Sequence, residues 1–77
     1  MDRPDLYALD SFAAVARHSN FRRAAVERGV SASTLSQTVR DLETRMGVRL
    51  LNRTTRSVAL TDAGAALLER LQPALLE

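Results

Sequence analysis

A chain of 77 residues makes one small domain and not two, with a core too slight to support much beyond local packing. With no cysteine and a single histidine it can build neither a disulfide framework nor a metal cluster, and it has neither the apolar segment of a signal peptide nor a run long enough to span a bilayer. Net charge is only +2, but residues 17–56 hold nine arginines against Glu27, Asp41 and Glu43, a local +6 between two segments of −2, and lysine is absent.

The first periodic stretch predicts a helix over about Leu6 to Arg17. Asp5 is a natural N-cap, and Leu9, Phe12, Ala13 and Ala16 follow the spacing of one buried face. His18 and Ser19 end it, His18 as a solvated residue that suits the negative end of a helix dipole. A shorter helix follows over Phe21 to Arg28, capped by Ser19 or Asn20, with Phe21, Ala24 and Ala25 inward. Small alanines allow another helix to cross closely. Arg22 and Arg23 point outward, into water or toward phosphate. Gly29 supplies the turn, Val30 plugs the core beneath it, and Ser31 caps the third helix.

The third helix, "SASTLSQTVRDLETRM", is expected to reach about Met46. At about 100° per residue, Leu35, Val39, Leu42 and Met46 share one side, while Ser33, Ser36, Gln37, Arg40 and Thr44 share the other. Asp41 and Glu43 fall on the flanks. The outward stripe is therefore polar, short and free of acid. A solvent-facing helix would more often carry Glu and Lys, which favour helix more than Ser and Thr do. Such a stripe suits contact with a polyanion.

Gly47 ends the helix, and "VRLLNRTTRSVALT" then changes period. Val48 and Leu50, then Val58 and Leu60, alternate around "NRTTRS". This predicts a β-hairpin with a loop longer than two residues and with Arg53 and Arg56 at its tip. Thr61 caps a final helix, favoured by Asp62 in its first turn. Leu68, Leu71 and Leu75 form an a/d-like seam that Leu67 and Leu76 widen. The chain stops at Glu77 without a capping Gly or Asn, so we expect a helix cut short and a longer natural protein.

Helix, helix, glycine turn, polar helix and basic hairpin together describe a winged helix-turn-helix, mainly α with a short two-stranded wing. In such a unit the second helix of the pair enters the major groove and its N-terminal residues reach base edges. Ser33 and Ser36 can reach base edges or phosphates. Gln37 can bond an adenine edge bidentately, or another base through water. Thr34 can offer a methyl to thymine or a hydroxyl to phosphate, and Arg40 is better placed for phosphate. Arg53 and Arg56, with Thr54 between them, can bracket the backbone, or the arginines can enter a narrow minor groove.

These residues make the sequence resemble the N-terminal DNA-binding domain of LysR-type bacterial transcriptional regulators. The matching stretches are "NFRRAA", "GVSASTLSQTVRDLE", "GVRLLNRTTRSVALT" and "LTDAG", which together cover nearly the whole chain in the family's order. The resemblance implies a DNA-binding domain over residues 1–60 and the start of a linker helix over 61–77. It further implies a cytoplasmic homodimer through Leu68, Leu71 and Leu75, bound to an interrupted inverted repeat of double-stranded DNA. A small-molecule effector would act only through a further C-terminal domain. The family's base-reading positions fall on Ala32, Ser33, Ser36 and Gln37, and its wing contacts on Arg53 and Arg56. Ala32 stands where Gln or Pro is common and loses a possible base contact. Arg28 stands where Leu is frequent, and either snorkels or reaches a phosphate. Leu51 replaces a frequent Phe.

A protein-interaction module on the same fold is the rival reading. It predicts that Ser36, Gln37 and Arg53 do not matter for duplex affinity, and the acid-free stripe argues against it. No enzyme, cofactor or membrane role is expected, since there is no nucleophile–base pair, phosphate-cradling glycine loop or metal cluster.

Overall fold

The structure, a computed structural model, describes residues 5–54 and 57–76, with side chains as far as residue 71. Arg56 and the side chain of Leu75 therefore lie outside the described residues. The order is α1 (Leu6–His18), α2 (Phe21–Arg28), α3 (Ala32–Met46), β1 (Leu51–Arg53), β2 (Val58–Leu60) and α4 (Asp62–Leu76). This is the winged helix-turn-helix expected, with α2 and α3 as its helical pair. Among the described residues no helix is long and apolar enough to cross a membrane.

Each of the first three helices begins on a side chain that satisfies a free backbone N–H. Asp5 accepts from Ala8 at 2.7 Å, Asn20 from Arg23 at 2.9 Å and Ser31 from Thr34 at 3.0 Å. Each ends in a left-handed residue, Ser19, Gly29 or Gly47. Asn20, not Ser19, caps α2, because Ser19 is already committed to closing α1.

The core is built from Phe12, Val15, Leu35, Val39, Leu42, Leu50 and Leu51, all fully buried. α1 packs against α2, α3, α4 and β2, so its buried arc is wider than the predicted stripe. Ala8, Ser11, Ala14 and Val15 are buried with Phe12 and Ala13, whereas Leu9 and Ala16 are only partly so. Ala24 and Ala25 are buried where α2 meets its neighbours, as their size predicts. Met46, at the C-terminal end of α3, is 38% exposed, unlike the buried Leu35, Val39 and Leu42.

The hairpin also starts later than the alternation suggests. Val48 is exposed, and β1 begins at Leu51, the second of two consecutive buried leucines. The cause is Glu43. Its Oε2 accepts from the backbone N–H of Leu50 at 2.8 Å and of Leu51 at 3.1 Å, so both donors at the start of the hairpin are spent on the carboxylate. The antiparallel register sets Leu51 opposite Leu60, Asn52 opposite Ala59 and Arg53 opposite Val58. Thr54 and Ser57 bond across the loop, the Thr54 N–H donating to the Ser57 carbonyl at 2.9 Å.

Thr61 locks α4 onto this region. Its Oγ1 accepts from Gly64 N–H at 3.0 Å while donating to the Arg49 carbonyl at 2.6 Å, and its own N–H donates to the Leu50 carbonyl at 3.0 Å. Ala63, Leu67, Leu68 and Leu71 then pack against the main core, so the first turns of α4 share it.

Two ion pairs tie α1 to α2. Arg28 bonds Asp10 and lies over the Tyr7 ring at 4.8 Å, which makes it a strut within the fold. Glu27 accepts from Arg17 and, at 2.7 Å, from His18 Nε2, so His18 is a partner of α2 and not merely a solvated helix end. The His18 hydrogen bond, aided by the Arg17 charge, holds the Glu27 carboxyl below the ordinary value of 4.5 against an opposing effect of lost hydration. A depressed carboxylate stabilises the fold fully above its unfolded value, and the contribution fades as pH falls through the folded value. Glu27→Gln is therefore expected to flatten the fall of melting temperature below pH 4.5. Parallel acid-side slopes in the two proteins would contradict this assignment.

Candidate nucleic-acid interface

The polar face of α3 is open. Ala32, Ser33, Thr34, Gln37 and Arg40 are exposed, and Ser36 is partly so. Leu35, Val39 and Leu42 anchor the opposite side in the core, which fixes the helix's rotation. Thr34 is engaged locally: its N–H and Oγ1 meet Ser31, and its carbonyl accepts from Thr38 Oγ1 at 3.0 Å. Thr54 is exposed in the hairpin loop.

Arg53 does not extend from the hairpin tip. It is the last residue of β1, and its side chain, 19% exposed, turns back over the Phe21 ring at 4.7 Å. Its Nη1 donates to Ser36 Oγ at 2.7 Å, and its Nη2 faces Glu43 Oε1 at 3.6 Å. Burial lowers Arg53 below the usual guanidinium range; Glu43 opposes this, and the neighbouring charges of Arg40 and Arg49 add to it. An arginine donates only, so Ser36 accepts here and its own hydroxyl proton is not used in this contact.

Between the end of α3 and the start of the hairpin runs a shallow groove lined by Arg40, Glu43, Thr44, Arg49 and Arg53. Arg49 is exposed and completes a trio of arginines that the sequence reading did not assemble. Its only sequence signal is its place in the "VRLLNR" run. Phe21 and Glu43 were likewise missed as supports, because each acts through an element remote in the chain.

Asp41 is a correction. It does not stand clear of the polar stripe: its Oδ1 accepts from Gln37 Nε2 at 2.9 Å. Residues four apart share a helix face, and both side chains are long enough to meet there.

The chain is 54% identical over 75 residues to an uncharacterized helix-turn-helix-type transcriptional regulator, YcaN, of Escherichia coli strain K12, covering 97% of this chain and 25% of that protein. It thus spans about a quarter of the length of the first relatives it matches. Among solved structures it superposes on a CbnR DNA-binding domain in complex with DNA with a TM-score of 0.87 and 37% identity, covering 92% of this chain and 82% of that one. A BenM DNA-binding domain on a catB site 1 DNA gives a TM-score of 0.87 at 30% identity, covering 92% and 79%. The family model for bacterial regulatory helix-turn-helix proteins of the lysR type matches residues 6–65, and the chain belongs to that family.

Proposed function

We propose that this domain binds double-stranded DNA sequence-specifically, as the reading end of a bacterial transcription regulator. One observation carries the reading: Ser33 and Gln37 lie open on α3 while Ser36 is bonded to Arg53 of the hairpin, so the polar helix face and the wing form one surface. The solved relatives that hold DNA on this fold support it. In this reading α3 enters the major groove with Ala32, Ser33, Ser36 and Gln37 at base edges. Arg40 and Arg49 face phosphates, and Thr54 and Arg56 meet the flanking backbone or minor groove.

The working unit is a cytoplasmic homodimer on an interrupted inverted repeat. The a/d-like spacing of Leu68, Leu71 and Leu75 in the sequence gives α4 a seam for its twin, and Leu68 and Leu71 are only partly buried within this domain. Regulation by a small molecule would require a domain outside this chain.

The test is titration against a selected duplex over a range of salt. Gln37→Ala is expected to cost about 1–3 kcal/mol at one base pair and to relax preference there. Arg40→Ala is expected to weaken selected and random duplexes alike and to reduce the log–log salt slope by about one. If neither change moves affinity for any duplex, the surface serves another partner.

A further inference from the structure

Arg53 closes β1, yet its guanidinium makes its contacts inside the protein. Nη1 donates to Ser36 Oγ on α3 at 2.7 Å, and the guanidinium lies over the Phe21 ring of α2 at 4.7 Å. Nη2 has no surface open to water and faces Glu43 Oε1, also on α3, at 3.6 Å. Ser36 and Glu43 are seven residues apart, about two turns of helix. One side chain of the hairpin is thus fastened along α3 and against α2 together. Arg53 is 19% exposed, whereas Arg40 and Arg49 beside it are open. To reach a phosphate, Arg53 would have to give up both Ser36 and the ring.

We infer that Arg53 is a positioning residue, which orders the hairpin against α3 before DNA arrives and does not itself touch the duplex. The inference rests on the DNA-binding reading above and removes Arg53 from the wing contacts that the family resemblance implies. Such a role has its own signature. The salt dependence of affinity counts the phosphates neutralised in the complex. A hairpin loosened in the free protein still makes its contacts once bound. Only the fraction of protein ready to bind falls, so affinity drops while the count stays the same.

The experiment measures affinity for a selected duplex over a range of salt, at a temperature where melting curves show every protein folded. Arg53→Met keeps an unbranched stem over Phe21 and removes the charge and the donors. It is expected to weaken binding about tenfold, on the scale of one hydrogen bond to a charged group. Its log–log salt slope should change by less than about half a unit, while Arg40→Ala lowers the slope by about one. Arg53→Lys keeps the charge and loses the flat fork, so it should bind about as weakly as Arg53→Met, and it carries the test if Arg53→Met does not fold. Phe21→Leu removes the ring from a helix assigned no duplex contact. In the double variant of Phe21→Leu with Arg53→Lys the two losses should overlap, whereas independent residues would multiply them. A slope lowered by about one in Arg53→Met, full affinity in Arg53→Lys, or multiplied losses in the double variant overturns the inference. So does a lowered melting temperature with affinity intact, which makes Arg53 structural only. In each of these cases the Arg40→Ala slope still reports DNA binding. An intact chain that binds no duplex overturns both readings.

Discussion

Replacing Glu43 with alanine is expected to destabilise the domain by about 2–4 kcal/mol and to weaken DNA binding as well. One carboxylate, 16% exposed, accepts the backbone N–H groups of Leu50 and Leu51 and faces Arg53. Hydrogen bonds to a charged group contribute about 1.5–3 kcal/mol, and removing one partner leaves the others desolvated. In Glu43→Ala two backbone donors and a guanidinium lose their acceptor together. For a domain this size the change corresponds to a drop of roughly 10–25 °C in melting temperature. Glu43→Gln should fall between, since its amide oxygen can still accept from the two N–H groups while its charge is gone. A loss below about 1 kcal/mol for Glu43→Ala would mean that the hairpin is held by its leucines alone.

Gly64→Ala should be comparably harmful, against the usual direction. In a helix interior alanine normally improves on glycine by roughly 0.5–1 kcal/mol. Here a Cβ would stand 2.1 Å from the Leu50 carbonyl oxygen, 3.0 Å from its carbon and 3.2 Å from Leu60 Cδ2. The obstacle is backbone, and it cannot swing aside, because the same carbonyl accepts from Thr61. Relief requires α4 to lift from the Arg49–Leu50 segment, breaking the Thr61 lock. We expect a cost of about 2–4 kcal/mol, at or above the usual range for overpacking, measured by denaturant titration. A stabilised Gly64→Ala protein would show that α4 is not seated so closely.

How much of this was legible in the residues depended on distance along the chain. Asp5, Asn20, Ser31, Gly29 and Gly47 act on their own helices, and the helix boundaries followed from them within about a residue. The polar face of α3 was readable for the same reason, since Leu35, Val39 and Leu42 set its rotation. What failed was decided by partners in other elements. No hydrophobic alternation encodes Glu43 reaching seven and eight residues ahead to delay β1. Arg28 was left open between two roles until Asp10, eighteen residues earlier, settled it as a strut. The direction of Arg53 depended on Phe21 and Ser36, and nothing in "NRTTRS" distinguishes a side chain that folds back from one that reaches out.

The Arg53 clasp also bears on which duplexes can be gripped. Joined through Ser36, Phe21 and Glu43, the helix proposed to enter the groove and the hairpin beside it are clasped into one jaw. Such a jaw leaves the accommodation to the nucleic acid. Base pairs that no side chain touches should then be sorted by how easily they kink, with pliant pyrimidine–purine steps favoured over stiff adenine tracts.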